Sequence, residues 1–217
     1  MQLQPDFPLD AAAALAEYLA ALGVSHLYSS PLLQAAAGSV HGYDVVDPHR
    51  VNAELGGADA FTRLTDALAA QGLGLVLDIV PNHMAIGGRE NAWWWDVLEN
   101  GPSSRYARYF DVDWDPPEAR LRNRVLLPIL GERYGQALAE GKLQVNHERG
   151  GFTLRYFDHT FPIAPGSLDT LLASAAGRLD ARQGSQAYHG AQADQLAFLA
   201  AAFAALPPAT ATDSESA

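Results

Sequence analysis

The chain has 217 residues, 48% of them hydrophobic, with a formal net charge of −11 and no cysteine. The apolar content is enough to bury a core as one large domain or two small ones. The negative charge and 14 scattered Lys and Arg residues argue against nucleic acid as a partner, and the lack of cysteine, which excludes disulfides and thiolate metal sites, makes a reducing cytoplasm the expected location.

The opening "MQLQPDFPLD" lacks the basic start and apolar stretch of a signal peptide, and no apolar run approaches the ~18 residues of a membrane span, so no membrane is expected. "QLQ" alternates like the end of a strand whose first part is clipped off. From Leu9 to Leu22, Leu15, Leu19 and Leu22 recur at i, i+4 and i+7 with Gly23 following, which predicts one amphipathic helix. "VSHLYSSP" reads as a strand stopped by Pro31, and residues 34–50 as a polar loop holding "HGYDVVDP". A second helix carries Phe61, Leu64 and Leu68 on one face and ends at Gly72. "LGLVLDIV" is a near-continuous apolar run, the pattern of a parallel strand covered on both sides.

Strand and helix alternating in this way predict an α/β fold. Parallel neighbours joined by a crossover end at the same sheet edge, so the "HGYD" and "DIVPNH" loops should open on one rim. Beyond His83 the alternation lapses into a Trp-rich helix, a short strand at "RVLLPIL", and a hairpin in "KLQVNHERGGFTLRYF" turning at Gly150 and Gly151. Helical patterning returns near Ser167, and Leu196, Leu199, Phe203 and Leu206 mark a last helix before a tail without core-forming residues.

Asp78 comes near the carboxyl end of its strand, where α/β folds place ligand sites, and a buried carboxylate there needs a partner. Pro81 halts that strand, and the loop it starts presents Asn82 and His83, an amide and an imidazole able to donate to hydroxyls. The set suits a polyhydroxylated neutral ligand; an Asp capping a turn beside a loop His is the structural alternative. Tyr43, next to Gly42 and flanked by His41 and Asp44, adds an aromatic plate of the kind that packs on sugar rings, or a simple packing residue. Trp93, Trp94 and Trp95 point about 100° apart on a helix, so at least one is exposed, at an inter-domain contact or at a ligand. The glycines of "GLGLVLD" precede a strand instead of following one, which excludes a dinucleotide loop. No histidine spacing fits catalytic zinc, although an oxygen-ligated calcium near Asn82 stays open. Arg155 and Asp158 of "LRYFDH" lie in the hairpin and read as structural.

"HGYDVVDPHRVNAELGG", "GLGLVLDIVPNHMA" and "ENAWWWDVLENG" together resemble the maltooligosyl trehalose synthases of the α-amylase superfamily, glycoside hydrolase family 13. "LPILGERYG" and "FPIAPGSLDTLL" extend the resemblance along the chain. It implies a partial (β/α)8 TIM barrel with a small domain inserted after the third strand: residues 1–84 as the first part of the barrel, 85–166 as the insertion, 167–206 as barrel helices resuming, and 207–217 as a truncated tail. The substrate-binding residues it implies are Tyr43, stacking on the sugar at the cleavage subsite, His83 contacting that sugar, Asp78 supporting the site and Asn82 shaping the loop, with His41 and Asp44 flanking Tyr43.

The activity implied is that of an isomerase acting on maltooligosaccharide or α-glucan, without cofactor, alongside a trehalose-releasing hydrolase. The nucleophilic Asp, the acid/base Glu and the third Asp of such enzymes lie on later barrel strands, so no catalytic residue is expected in this chain, and the chain alone is expected to be inactive. A hydrolase of the same superfamily and a non-catalytic carbohydrate-binding module are the competing readings.

Overall fold

The structure, a computed structural model, describes residues 1–148, 151–181 and 187–207. Two compact units divide it, Met1–Ala92 and Trp93 onward. In the first unit, α1 (Leu9–Ala13) and α2 (Ala16–Ala21) precede strand β1 (His26–Ser29). The single helix expected from Leu9 to Leu22 is therefore broken at Ala14 and Leu15, and its buried side is not the leucine stripe. Leu9, Ala12 and Ala16 are buried, whereas Leu22 is exposed. The chain turns so that small residues meet α3 (Gly57–Ala70), and Arg63 of α3 clamps Asp10 of α1 through bonds of 2.7 and 2.8 Å. Leu64 and Leu68 of α3 close over Leu3, Leu9, Leu27 and Leu73 to form the core, as the sequence pattern of that helix predicted.

β1 pairs in parallel with β4 (Gly74–Leu77), Tyr28 opposite Val76 and Ser29 opposite Leu77, and the Asp78 N–H continues the ladder to the Ser29 carbonyl at 3.0 Å. Both strands thus end on one rim, as expected of an α/β crossover. Gly74 lies against the His26 ring, 2.3 Å from where a Cβ would stand, so a larger residue here needs that side chain to turn away. "LGLVLDIV" departs from its expected form. Its regular strand stops at Leu77, before Pro81, and Val76, Leu77 and Ile79 are exposed. One face of the pair, with Leu27 and Leu75, lies on the core, while Tyr28 and Val76 on the other face are 55% and 45% exposed.

On the far side of β1, the Met1 ammonium donates to the Tyr28 carbonyl at 2.6 Å and the Ser30 N–H donates to the Met1 carbonyl at 2.9 Å, the bond pattern of a parallel neighbour. "QLQ" itself is no strand, since Gln4 bridges back to Phe7. The expected polar loop at 34–50 is largely a hairpin: β2 (Leu33–Ala35) and β3 (Val45–Val51) pair antiparallel with irregular register. Val45 and Val46 are buried, so half of "HGYDVVDP" is strand. At its base the buried Asn52 accepts from Gln34 Nε2 at 3.1 Å and from the Glu54 N–H at 3.0 Å, pinning the ends of the excursion together.

The boundary between the units falls at the start of α4 (Ala92–Asn100), whose residues from Trp93 onward belong to the second. Trp94 is buried against Phe110, and Trp93 is stacked on Tyr106 with ring centroids 5.2 Å apart. "RVLLPIL", expected as a strand, forms none; Leu126 is 73% exposed, and Pro128 removes a ladder donor. After α5 (Tyr134–Ala139), β5 (Leu143–Glu148) and β6 (Gly151–Tyr156) form the predicted antiparallel pair, whose Gly150 lies outside the described residues. A third strand, β7 (His159–Pro162), was not anticipated. Glu132 ties the preceding loop to this sheet, accepting from Tyr156 Oη at 2.9 Å and Lys142 Nζ at 2.8 Å. α6 (Leu168–Ala181) and α7 (Ala187–Ala204) pack on it through Leu168, Leu172, Leu196, Ala200 and Phe203. Leu199, expected on the buried face, is 43% exposed because α7 turns Ala200 instead toward α6, and Leu206, 46% exposed, lies past the end of α7. Residues 208–217 of the predicted tail lie outside the described residues. No described helix is long and apolar enough to cross a membrane.

Candidate functional site

In a parallel pair, residues in register share a face, so Tyr28 stands on the side of Val76 and hence, two residues on, of Asp78. Asp78 Oδ2 accepts from Tyr28 Oη at 2.8 Å and from Tyr43 Oη at 2.7 Å. A carboxyl oxygen taking two hydroxyl donors is an ionised acceptor. The two phenols, Tyr43 foremost, hold Asp78 below its ordinary pKa; partial burial opposes them and the Ile79 N–H adds to them. Reciprocally, Asp78 pushes both phenols up, so they remain donors. Asp78 is half-buried instead of fully enclosed, and its partners are phenols.

The Tyr43 loop is built to deliver that hydroxyl. Gly42 takes φ +80°, and a Cβ on it would lie 2.8 Å from the Pro31 carbonyl oxygen. The Gly42 N–H donates to Ser39 Oγ at 3.1 Å, Ser39 Oγ donates to Asp44, and the Tyr43 N–H donates to His41 Nδ1 at 3.1 Å. His41 and Asp44 therefore shape the turn. The second loop is drawn to the first: the Ala85 N–H donates to the Val45 carbonyl at 2.9 Å, and His83 Nε2 lies 3.1 Å from the Tyr43 carbonyl. A carbonyl only accepts, so His83 carries its proton on Nε2 in this contact. Its Nδ1 lies 3.1 Å from Asn82 Oδ1, also an acceptor, so a neutral His83 donates to one of these two oxygens and not to both.

The sequence-selected residues are brought to one rim, but with different tasks. A cleft of about 200 Å³ is lined by Met1, Gln2, Tyr28, Ser30, Tyr43 and Asp78. His41, Asp44, Asn82 and His83 are not in its lining; they stand behind Tyr43 or beside it. Tyr28 is the residue the sequence reading missed. The parallel register of "HLYS" with "GLVL", counted two residues on to Asp78, was the signal that could have found it. Among the described residues no group of three or more His, Asp or Glu is placed to hold a metal.

The Asp78 contacts predict a pH signature. A carboxylate with a depressed folded-state pKa contributes stability that is fully present above its unfolded value of about 3.9 and is lost as pH falls below this, through the folded value. Asp78→Asn is therefore expected to melt below the wild-type protein at pH 7, with the difference closing in acid. A melting-temperature series from pH 7 to 3 checks this; a constant difference would count against it.

The parallel β1–β4 pair joined through α3 makes the first unit an α/β fold with the acid and two tyrosines on its carboxyl rim. The family described as alpha amylase, catalytic domain matches residues 13–163, and the chain belongs to that family. Within it, the chain is 49% identical over 156 residues, 71% of its own length and 19% of the other's, to a Mycobacterium tuberculosis (strain ATCC 25618 / H37Rv) protein carrying the name maltooligosyl trehalose synthase. The solved maltooligosyltrehalose synthase from Arthrobacter ramosus is 42% identical with a TM-score of 0.66, covering 76% of this chain and 20% of that one. An intracellular maltogenic amylase of Bacillus subtilis (strain 168) is 33% identical over 96 residues, 44% of this chain and 16% of that protein. The chain spans about a fifth of the length of the relatives to which it is most similar here.

Proposed function

We propose that this chain is the N-terminal part of a maltooligosyl trehalose synthase, in which the reducing-end α-1,4 link of a maltooligosaccharide becomes an α,α-1,1 link by intramolecular transglucosylation. The observation that carries the reading is the Tyr28–Asp78–Tyr43 cluster on the carboxyl rim of β1 and β4, in a chain with 49% identity to a relative of that name. The enzyme class is an isomerase of trehalose biosynthesis, with a trehalose-releasing hydrolase consuming its product.

The β1–β4 pair is read as the opening of a (β/α)8 barrel at residues 1–84, residues 85–166 as a domain inserted after the third strand, and 167–206 as returning barrel helices. Tyr43 offers its ring to the sugar, Asp78 offers Oδ1 to a sugar hydroxyl, His83 donates from Nε2 when it leaves the Tyr43 carbonyl, and Asn82, His41 and Asp44 hold the two loops. The catalytic carboxylates belong to the rest of the whole protein. There the released reducing-end glucose must be retained in a water-poor pocket, since water reaching a glycosyl-enzyme intermediate hydrolyses it.

The whole protein, given maltopentaose, is expected to abolish reducing ends while releasing little glucose. A reducing-sugar assay run beside a glucose assay decides: rising reducing power makes it a hydrolase, the reading that similarity to the maltogenic amylase favours. The 217-residue chain by itself is expected to do neither, and turnover by it would mean that its carboxylates are misassigned.

A further inference from the structure

The β6–β7 connection is the two residues Phe157 and Asp158, between the paired Tyr156 and His159. Phe157 takes φ +49°. That left-handed conformation suits Gly, Asn or Asp in tight hairpins and is a genuine outlier for a bulky side chain. The ring is also 58% exposed. A two-residue hairpin asks for positive φ at its first central residue, which Gly or Asn supplies without strain, so the turn by itself does not need an exposed aromatic ring there.

The turn is nonetheless held firmly. Arg155 Nε donates to the Phe157 carbonyl at 3.0 Å, the Tyr156 and Phe157 rings meet edge to face at 4.7 Å, and Lys142 Nζ lies 5.9 Å from the Phe157 ring centroid. Beside the ring opens a cleft of about 520 Å³ lined by Glu140, Gly141, Lys142, Gln144, Arg155, Phe157 and Asp158. Its two cations face two anions, and Lys142 is already bound to Glu132 and Glu140 at 2.8 and 2.7 Å. A charge-balanced lining favours neither an anion nor a cation. An exposed aromatic plate set among an amide, a guanidinium and carboxylates matches a neutral ligand with one apolar face and many hydroxyls.

We propose that this cleft is a second carbohydrate-binding site, separate from the Asp78 cluster, where a neutral α-glucan chain stacks on Phe157 and is hydrogen-bonded by Gln144, Arg155 and Asp158. The choice of α-glucan among neutral sugars rests on the proposed function. The site tethers a long chain without taking part in bond exchange.

The test uses the whole protein and β-cyclodextrin, which has no reducing end to be converted. Phe157→Gly is expected to weaken calorimetric binding of β-cyclodextrin by at least about 5-fold. Its kcat/KM on maltopentaose should stay within about 2-fold of wild type, and its melting temperature should hold or rise, since glycine relieves the left-handed strain. Phe157→Asn, also tolerant of that conformation, should behave alike and covers a failure of the glycine variant to fold. Unchanged cyclodextrin affinity in either folded variant overturns the proposal, and so does a loss of affinity that tracks a fall in melting temperature. A protein inactive on maltopentaose that still shows Phe157-dependent cyclodextrin binding sinks the proposed function alone.

Discussion

Asp78→Ala in the complete protein is expected to lower kcat/KM for maltopentaose by about 100-fold or more, as loss of a charged, doubly bonded acceptor in a reacting site implies. The substitution removes the anchor of two hydroxyls at 2.8 and 2.7 Å, so Tyr43 loses the contact that fixes its ring over the rim, and Oδ1 is lost as well. Folding should suffer less, because Tyr28 and Tyr43 are 55% and 43% exposed and water replaces their partner. Tyr28→Phe keeps the ring, the strand and the second bond to Asp78, and its expected loss is only about 3- to 10-fold. Steady-state kinetics with thermal melts of both variants separates the roles. An Asp78→Ala enzyme that is fully active but unstable would make the cluster a structural clasp.

Gly42→Ala is expected to destabilise by about 2–5 kcal/mol, adding the left-handed backbone penalty to the strain of overpacking. The Pro31 carbonyl that the new Cβ meets at 2.8 Å is backbone, so relief requires moving either the end of the β1 segment or the Tyr43 loop. Whichever moves, Tyr43 Oη leaves Asp78, and activity should fall together with stability. Gly38→Ala isolates the two contributions. Gly38 takes φ +74° with nothing within 4 Å of its Cβ position, so only the backbone penalty of about 1–2 kcal/mol applies. Equal denaturation midpoints for the two variants would refute the clash, as would full activity in Gly42→Ala.

Much of the candidate site was legible because its signals are local. An acid, a proline, an amide and a histidine after an apolar run mark the approach to a loop, although the strand itself stops at Leu77, and the parallel crossover puts "HGYD" and "DIVPNH" on one rim for topological reasons. The Tyr28 contribution was not legible in the same way. An isolated tyrosine in "HLYS" carries no mark of function until the register sets it two residues from Asp78 on the same face. The conversion of the 34–50 loop into a hairpin was hidden too, since its irregular register lacks the strict alternation that reveals a half-buried strand.

The apolar face of α3, the glycine stops at Gly23 and Gly72, and the acid–amide–histidine order of "DIVPNH" were determined by the sequence alone, because each is set by the backbone preferences of neighbouring residues. Only the tertiary structure decided which face of an element was buried. Leu22, Leu199 and Leu206 are apolar at helical spacing yet exposed, while Ala12, Ala16 and Ala200 are buried. The physical reason is that close approach of helices selects small side chains at the contact, and burial depends on what the rest of the chain places opposite a residue, which spacing along one element does not encode.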